Sequence, residues 1–147
     1  MNKIIKYNST FLSSCICIFK SNVPVFFAFK EENLFVNYLQ KTHINYYLIF
    51  DDTNSLVASG GYEYEQEKDS VSLTWGMVAF KDQNLGYGSF LTEFRLNKIK
   101  KEFSNCNIEL NTTQKTFKFY EKFGFDVIKI TPNYYAKGLD RYDMLHM

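Results

Sequence analysis

The feature that most constrains the fold is a glycine-containing turn between a strand-like segment and a long helix-like segment. Residues 71–78 alternate apolar and polar side chains, which is typical of a half-buried β-strand. The turn then reads Gln83-x-x-Gly86-x-Gly88, and residues 90–103 follow with apolar side chains at helical spacing. Backbone N–H groups at such a turn point outward, and the helix dipole adds positive potential. The sequence therefore predicts an anion-binding turn at this point of the chain.

Two widespread phosphate-binding motifs are absent from the sequence. A P-loop needs Gly-x-x-x-x-Gly-Lys followed by Ser or Thr, and a dinucleotide-binding fingerprint needs Gly-x-Gly-x-x-Gly, but neither occurs. Residues 46–50 and 56–62 precede the strand 71–78, are β-prone, and are separated by polar turn residues. They predict antiparallel hairpins, which disfavours a doubly wound parallel sheet. Within them, Gly60-Gly61 predicts a bulge or a close packing contact.

The remaining segments complete a mixed α+β pattern. The predicted order of elements is β-α-α-β-β-β-α-β-α-β-β. Residues 8–10 supply N-cap side chains for the first helix, and Gly124 supplies a left-handed end for the last one. Outside the segments already named, strands are predicted at residues 4–7, 108–110, 125–130 and 142–145, helices at 11–19, 31–42 and 114–123, and a short segment with a helix start at Asn22 and Pro24.

Composition favours one soluble domain and disfavours two other classes of protein. The chain has 147 residues, 46% of them hydrophobic, which is enough apolar material for one core. Its formal net charge of +1 disfavours a nucleic-acid-binding protein, whose affinity comes mostly from clustered Lys and Arg. The apolar run at residues 11–19 is diluted by Ser13 and Ser14, and no cleavage site follows it. Neither a secretory signal nor a membrane span, which needs ~20 apolar residues, is therefore predicted.

The cysteines predict no metal site. Cys15, Cys17 and Cys106 are odd in number, and no His or further Cys stands at metal-ligand spacing from them. Free cysteine is among the most buried residue types, so reduced thiols in the core are expected. Reduced thiols are typical of a reducing compartment, and the predicted localisation is cytoplasmic.

A second segment of the sequence, like the turn, is informative about the family. Residues 116–125 read Thr-Phe-Lys-Phe-Tyr-Glu-Lys-Phe-Gly-Phe. The turn matches the Gln/Arg-x-x-Gly-x-Gly/Ala loop of the GNAT superfamily of N-acetyltransferases, and residues 116–125 resemble the superfamily's helix ending in aromatic-Tyr-Glu-Lys-x-Gly-Phe. Residues 138–144 are similar to the last strand of some uncharacterised acyltransferase-like members. The resemblance implies one GNAT-like domain over residues 1–147, with a central, mostly antiparallel, splayed sheet flanked by helices.

The resemblance also implies an enzyme that transfers an acetyl group from acetyl-CoA to a primary amine, by direct attack in a ternary complex and without a metal. By that similarity the pantetheine arm lies between the splayed strands, and the pyrophosphate lies on amides of the turn. Lys81 is a candidate partner for a coenzyme phosphate, with a solvated surface charge as the alternative. The expected coenzyme-binding residues are Met77, Val78, Gln83, Asn84, Leu85, Gly86, Tyr87, Gly88 and Ser89.

Acetyl transfer needs a neutral amine, a donor to the developing oxyanion and an acid for the leaving thiolate. Tyr120 stands at the tyrosine position of the similar family and is the expected acid, with a role as one more core aromatic as its alternative. By the same similarity a backbone amide near Val78 is the expected oxyanion donor. An ordinary phenol, with a pKa near ~10, is protonated at neutral pH as this role requires. The base is open among Glu63, Glu65 and Glu109, each of which has a surface role as its alternative.

Two other functional classes remain as alternatives. One is a domain of the same fold that binds coenzyme A or a protein partner without catalysis. The other is a nucleic-acid-binding module that uses basic residues predicted on one solvent-facing side of the long helix, namely Arg95, Lys98, Lys100 and Lys101. The predicted partner is a small-molecule or peptide amine, with no nucleic acid and no membrane, and the chain is expected to be a monomer or a homodimer.

Overall fold

The computed structural model describes residues 2–146, which form seven β-strands and four α-helices. The strands are β1 (Lys3–Lys6), β2 (Asn45–Phe50), β3 (Leu56–Glu65), β4 (Ser70–Val78), β5 (Asn107–Thr112), β6 (Asp126–Ala136) and β7 (Leu139–His146). The helices are α1 (Leu12–Ser21), α2 (Glu32–Leu39), α3 (Tyr87–Glu102) and α4 (Phe117–Glu121). The elements follow one another in the predicted order, so the predicted α+β fold class is confirmed.

All strands belong to one sheet with the order β1-β2-β3-β4-β5-β7-β6. Neighbouring strands are antiparallel except β4 and β5, which are parallel and pair only through Ser70–Ser72 and Asn107–Glu109. Beyond these positions, residues 73–78 of β4 and 110–112 of β5 have no pairing with each other in the described chain. The sheet therefore opens between its two central strands, as the prediction of a splayed sheet requires.

The two faces of the sheet are covered by different helices. On the face that carries α1 and α2, aromatic rings form the core, with Phe35 lying 5.6 Å from Phe19 and 5.1 Å from Trp75 between ring centroids. On the face that carries α3 and α4, a second cluster includes Ile99 and Phe125. Each large apolar side chain removed from water stabilises the fold by about 1.5–3 kcal/mol. These faces are called the α1/α2 face and the α3/α4 face below.

Several predicted element boundaries are wrong. No helix begins at Asn22 and Pro24, because Asn22 ends α1 and residues 22–26 form turns. Helix α4 is shorter than the predicted 114–123, since residues 114–116 form a turn whose Thr116 N–H donates to the Thr113 carbonyl at 3.1 Å. The last two strands are longer than predicted, because an irregular ladder between residues 131 and 136 carries the hairpin past Pro132.

Two predictions about individual side chains are also wrong. Arg95 does not share a solvent-facing side with the lysines of α3, because it is only 1% exposed and points beneath the sheet. The basic surface predicted for a nucleic acid therefore loses one of its four members. Cys17 is exposed rather than in the core, since it lies one residue from the buried stripe that contains Cys15 and Ile18. Cys15 is buried as predicted, Cys106 is partly buried, and all three are free thiols.

Candidate functional site

A bulge in β4 lies beside the opening of the sheet. The register skips between Ser59 and Gly61, so that Trp75 and Gly76 together lie opposite Gly60. Trp75 has a positive φ of 44°, and a bulged residue of this kind bends its strand and increases the local twist. The alternation predicted through Trp75 is therefore interrupted, whereas the prediction of a bulge or close contact at Gly60-Gly61 is confirmed.

Beyond Ser72, the edge of β4 that faces the opening is not paired with β5 in the described part of the chain. The Ala79 N–H donates to the Val57 carbonyl of β3 at 2.8 Å. Because successive backbone groups alternate in direction along a strand, the N–H of Val78 points away from β3 and toward the opening. The same alternation points the N–H of Met77 toward β3, where Met77 pairs with Ser59. Of the two residues predicted to bind pantetheine, Val78 is therefore the better placed.

The predicted anion-binding turn joins this edge to α3. Asn84 has a φ of 65° and Gly86 a φ of 90°, a conformation that glycine adopts at little cost. Gly86 is the N-cap residue of α3, and the first helical hydrogen bond runs from the Phe90 N–H to the Gly86 carbonyl at 3.1 Å. The N–H groups of residues 87–89 therefore have no helical acceptor. Together with the helix dipole they form a site for an anion such as a pyrophosphate.

Asn22 is a residue of this site that the sequence did not reveal. It is 2% exposed, and its Nδ2 donates to the carbonyls of Ile18 and Val78, both at 3.0 Å. Its Oδ1 accepts a hydrogen bond of 2.9 Å from Gln83 Nε2. One amide thus joins the end of α1, the end of β4 and the first residue of the turn. Asn is common at the end of a helix, so the local sequence explains the position of Asn22 only as a cap. Its bond to Val78, 56 residues away, leaves no signal in the neighbouring sequence.

Replacing Asn22 with alanine is expected to lower the free energy of unfolding by about 2 kcal/mol, because the hydrogen bonds of its buried amide to Ile18, Val78 and Gln83 are lost. Urea denaturation measures this change. The exposed Asn97 of α3 provides a matched control, and Asn97→Ala is expected to unfold within about 0.5 kcal/mol of wild type. Equal stability of the two variants would show that the Asn22 amide does not hold these elements together.

Helix α4 borders the opening on the α3/α4 face. A Cβ placed on Gly88 would lie 3.4 Å from Phe119 Cζ of α4 and 3.7 Å from Val78 Cγ2. The turn, the open edge of β4 and α4 therefore meet at one place. Tyr120 follows Phe119, with 5.0 Å between their ring centroids, and is half-buried. Tyr120, the predicted acid, is thus carried by the helix that borders the opening beside the turn.

Two of the three candidate carboxylates, Glu65 and Glu109, lie where β4 and β5 are still paired. Glu109 pairs with Ser72 at the last parallel position, so it stands where β4 and β5 begin to separate. Ser72 Oγ donates to Glu65 at 3.2 Å and to Glu109 at 3.4 Å, and Lys68 Nζ lies 3.4 and 3.6 Å from the same two carboxylates. The structure thus brings Glu65 and Glu109 together, whereas Glu63 is exposed on β3.

Residues 2–146 contain neither a metal-binding group of side chains nor a membrane-spanning helix. No three His, Cys, Asp or Glu side chains in this part of the chain are grouped so that they could hold a metal ion. None of the helices in the same range has the length and apolar character needed to cross a bilayer. Lys81, the candidate phosphate partner, is exposed beside the turn.

Comparisons with known proteins agree with this geometry. The sequence model of the family described as "Acetyltransferase (GNAT) domain" matches residues 21–146. Among solved structures, the Escherichia coli ribosomal-protein-S18-alanine N-acetyltransferase has a TM-score of 0.82 at 20% identity, covering 99% of this chain and 93% of that one. Arabidopsis thaliana Naa50 in complex with the bisubstrate analogue CoA-Ac-MVNAL has a TM-score of 0.76 at 19% identity, with coverages of 99% and 98%.

A third solved structure, an aminoglycoside 6'-N-acetyltransferase complexed with coenzyme A, has a TM-score of 0.75 at 14% identity, covering 97% of this chain and 95% of that one. At such identities the likeness concerns the fold. No curated protein sequence matches this chain significantly.

Proposed function

The chain belongs to the GNAT acetyltransferase family, and on that premise we propose that it transfers an acetyl group from acetyl-CoA to a primary amine while both substrates are bound. The observation that carries this proposal is the opening between β4 and β5, which ends at a turn with unpaired N–H groups at the start of α3. An elongated donor with an anionic end fits such a channel. The enzyme class predicted from the sequence, an acetyltransferase, is confirmed by the family match.

The residues present fit acetyl-CoA. The N–H groups of residues 87–89 suit a pyrophosphate, and the left-handed Gly86 has no heavy atom within 4 Å of its Cβ position, so the turn is open to a bulky anion. Gln83 is held by Asn22 at the end of β4. The N–H of Val78 faces the opening, where an extended pantetheine arm with amide groups can bond to it as an added strand would. Asn84 and Leu85 stay in the proposed site as predicted from the resemblance, whereas the N–H of Met77, which points toward β3, is not proposed to bond to the pantetheine arm.

The proposed reaction divides proton transfer between two side chains. The amine nitrogen forms a bond to the thioester carbonyl carbon, the carbonyl oxygen takes up negative charge, and the carbon–sulfur bond then breaks. The N–H of Val78 donates to the carbonyl oxygen in this scheme. Tyr120 gives its proton to the leaving sulfur, and Glu109 removes a proton from the amine, directly or through a water molecule.

The positions of Glu109 and Tyr120 support this division. Ile108 and Leu110 pack in the cluster on the α3/α4 face, so Glu109 between them points to the α1/α2 face. Tyr120 packs in the same cluster as Leu110 and therefore lies on the α3/α4 face. A base on one face and an acid on the other can serve an amine and a leaving thiolate that occupy opposite sides of the reacting carbon.

Glu109→Gln is expected to lower kcat/KM by about 100-fold at neutral pH, because the protonated amine loses its base. The loss should shrink as pH rises, since the free amine then deprotonates without help. Initial rates of thiol release between pH 6 and 10 measure both effects. Glu63→Gln, Glu65→Gln and, as an exposed control, Glu67→Gln are expected to stay within about 3-fold of wild type. A loss that follows Glu63 or Glu65 instead would move the base to that residue.

The donor itself can be tested by calorimetric titration of the protein with acetyl-CoA, followed by an amine panel monitored by thiol release. Saturable binding with amine-dependent thiol release is the expected result. Binding without release from any amine would favour a coenzyme-binding or interaction module of this fold. The absence of binding would contradict the proposed function.

The acceptor is proposed as a small-molecule or peptide amine. The similar structures include a ribosomal-protein-S18-alanine N-acetyltransferase and an aminoglycoside 6'-N-acetyltransferase, so the fold is compatible with both kinds of acceptor. We further place the chain in one domain over residues 1–147, as a monomer or homodimer, because strands from β1 to β7 share one sheet. The free thiols support a cytoplasmic location.

A further inference from the structure

Arg95 occupies a slot beneath the β4 bulge. The slot is lined by two glycines on adjacent strands of the α3/α4 face. A Cβ on Gly76 would lie 2.9 Å from Arg95 Nη2, and a Cβ on Gly60 would lie 3.2 Å from Arg95 Nη1. The guanidinium therefore rests against bare backbone of β3 and β4. A side chain at Gly76 would have to displace the guanidinium, whereas one at Gly60 would first meet Leu91 Cδ2, at 2.9 Å from the Cβ position.

The charge of Arg95 has little local compensation. Its Nη1 donates to the Gly61 carbonyl at 3.2 Å, and its Nε is buried without a hydrogen-bond partner. In the stretch from residue 2 to residue 146, no carboxylate lies within ion-pair distance of it. A buried guanidinium without an anion is costly, and an apolar side chain of similar volume would avoid that cost. Packing alone therefore does not explain an arginine at this position.

The slot lies directly behind the opening of the sheet. Gly76 belongs to the bulge and lies two residues before Val78, whose N–H points into the opening. Because Gly76 has no side chain, the guanidinium lies against the backbone of β4, the strand that borders the channel. Inside a protein the field of a buried charge is screened much less than at a surface.

We propose that Arg95 supplies the buried positive charge that stabilises negative charge developing on the acetyl donor's carbonyl oxygen and sulfur. The inference rests on the proposed function, because it needs a thioester in the opening. When the amine attacks, the carbonyl electron pair moves to oxygen, and when the carbon–sulfur bond breaks, that bond's pair leaves with sulfur. Arg95 acts on both charges across the Gly76 backbone without touching the donor, so it is a positioning residue.

Three buried tyrosines close to Arg95 have raised pKa values and stay protonated between pH 7 and 10. Across the sheet, burial raises the pKa of Tyr38 to about 12 and raises that of Tyr46 well above its ordinary value, against a smaller lowering by the Arg95 charge. On its own face, burial and the hydrogen bond to Glu102 raise the pKa of Tyr62 well above 10. Further charged or phenolic groups on the elements around Arg95 are Tyr47 of β2, Lys98 of α3, Tyr120 of α4 and Glu63 of β3.

The pKa of the thiol of bound coenzyme A measures the effect of the Arg95 charge without any turnover. A thiol has an ordinary pKa of about 8.5, and a nearby positive charge lowers it by favouring the thiolate. Coenzyme A should therefore bind more tightly as pH rises from the bound to the free thiol pKa, by about 10-fold for a shift of one unit. Acetyl-CoA has no free thiol and should lack this part of the pH dependence. Calorimetry of both ligands from pH 7 to 10 measures the difference, and thiolate absorbance checks it.

Arg95→Met is expected to remove the lowering of the bound thiol pKa by about one unit or more and to reduce kcat, while acetyl-CoA affinity changes little. Arg95→Lys should keep most of the lowering, because it keeps the charge. Lys98→Met removes a charge from the same helix outside the slot, and it should leave the bound thiol pKa unchanged.

The outcomes separate this inference from the proposed function. If the wild-type protein binds neither ligand, the proposed function fails and the inference with it. If both ligands bind with the same pH dependence, or if Arg95→Met leaves the bound thiol pKa as in wild type, the inference is overturned while donor binding stands. Should Arg95→Met not fold, the wild-type comparison can still overturn the inference, because an equal pH dependence of the two ligands needs no variant, and Arg95→Lys then tests whether the lowering depends on the side chain at position 95.

Discussion

Gly86→Glu is expected to weaken acetyl-CoA binding by at least about 100-fold, which corresponds to roughly 2.7 kcal/mol. The new carboxylate would stand at the N-cap position of α3, beside the unpaired N–H groups of residues 87–89. It would compete with the pyrophosphate for these donors and repel it, and two like charges about 4 Å apart near a protein surface interact by roughly 4 kcal/mol. The positive φ of 90° adds strain to any residue other than glycine.

Gly138→Glu provides a matched control for the effect of strain. Gly138 has a φ of 79° in the turn between β6 and β7, and, as at Gly86, no heavy atom lies within 4 Å of its Cβ position. Both substitutions therefore add the same side chain to an open left-handed position, but only Gly86 lies at the start of α3. Calorimetric titration and thermal melting of both variants separate binding from folding. Wild-type affinity in a folded Gly86→Glu protein would exclude the turn as the pyrophosphate site.

The sequence was sufficient to predict the turn because its signals are local. The alternation before Gln83, the glycines at 86 and 88 and the helical spacing after them lie within one short stretch, and each element depends on its neighbours in the chain. The order of strands and helices was predictable for the same reason. The element ends at Pro132 and after Thr113 were not, because ladder pairing and turn hydrogen bonds override the local preference there.

The side chains that support the site were not predictable from local patterns. Asn22 bonds to Val78, 56 residues away, and Arg95 bonds to Gly61, 34 residues away. In the sequence, Arg95 stands near lysines, so it is predicted to lie with them on a basic surface. Only the fold shows that Gly60 and Gly76 leave a slot in which a guanidinium fits under the bulge. Contacts of this kind depend on the register between strands, which no pattern within one segment specifies.

Tyr120→Phe is expected to lower kcat by about 1000-fold while the dissociation constant of acetyl-CoA changes by less than about 2-fold. The substitution removes only the hydroxyl group that is proposed to protonate the leaving sulfur. The ring keeps its contacts with Phe119 at 5.0 Å and Phe125 at 6.1 Å between centroids, so helix α4 should stay in place. Steady-state thiol release gives kcat, and calorimetry on the same preparation gives the dissociation constant.

Tyr142→Phe is the control for this experiment, because Tyr142 stacks on Phe117 of the same helix at 4.6 Å and has no proposed part in catalysis. It should leave kcat within about 3-fold of wild type. A similar kcat for Tyr120→Phe would remove the phenol as the acid and leave the thiolate to depart unprotonated, stabilised by charge alone. In that case the positive charge of Arg95 would account for more of the stabilisation of the leaving thiolate, and Arg95→Met would be expected to lower kcat more than Tyr120→Phe does. Tyr120→Phe and Arg95→Met together therefore distinguish proton transfer from electrostatic stabilisation at the sulfur.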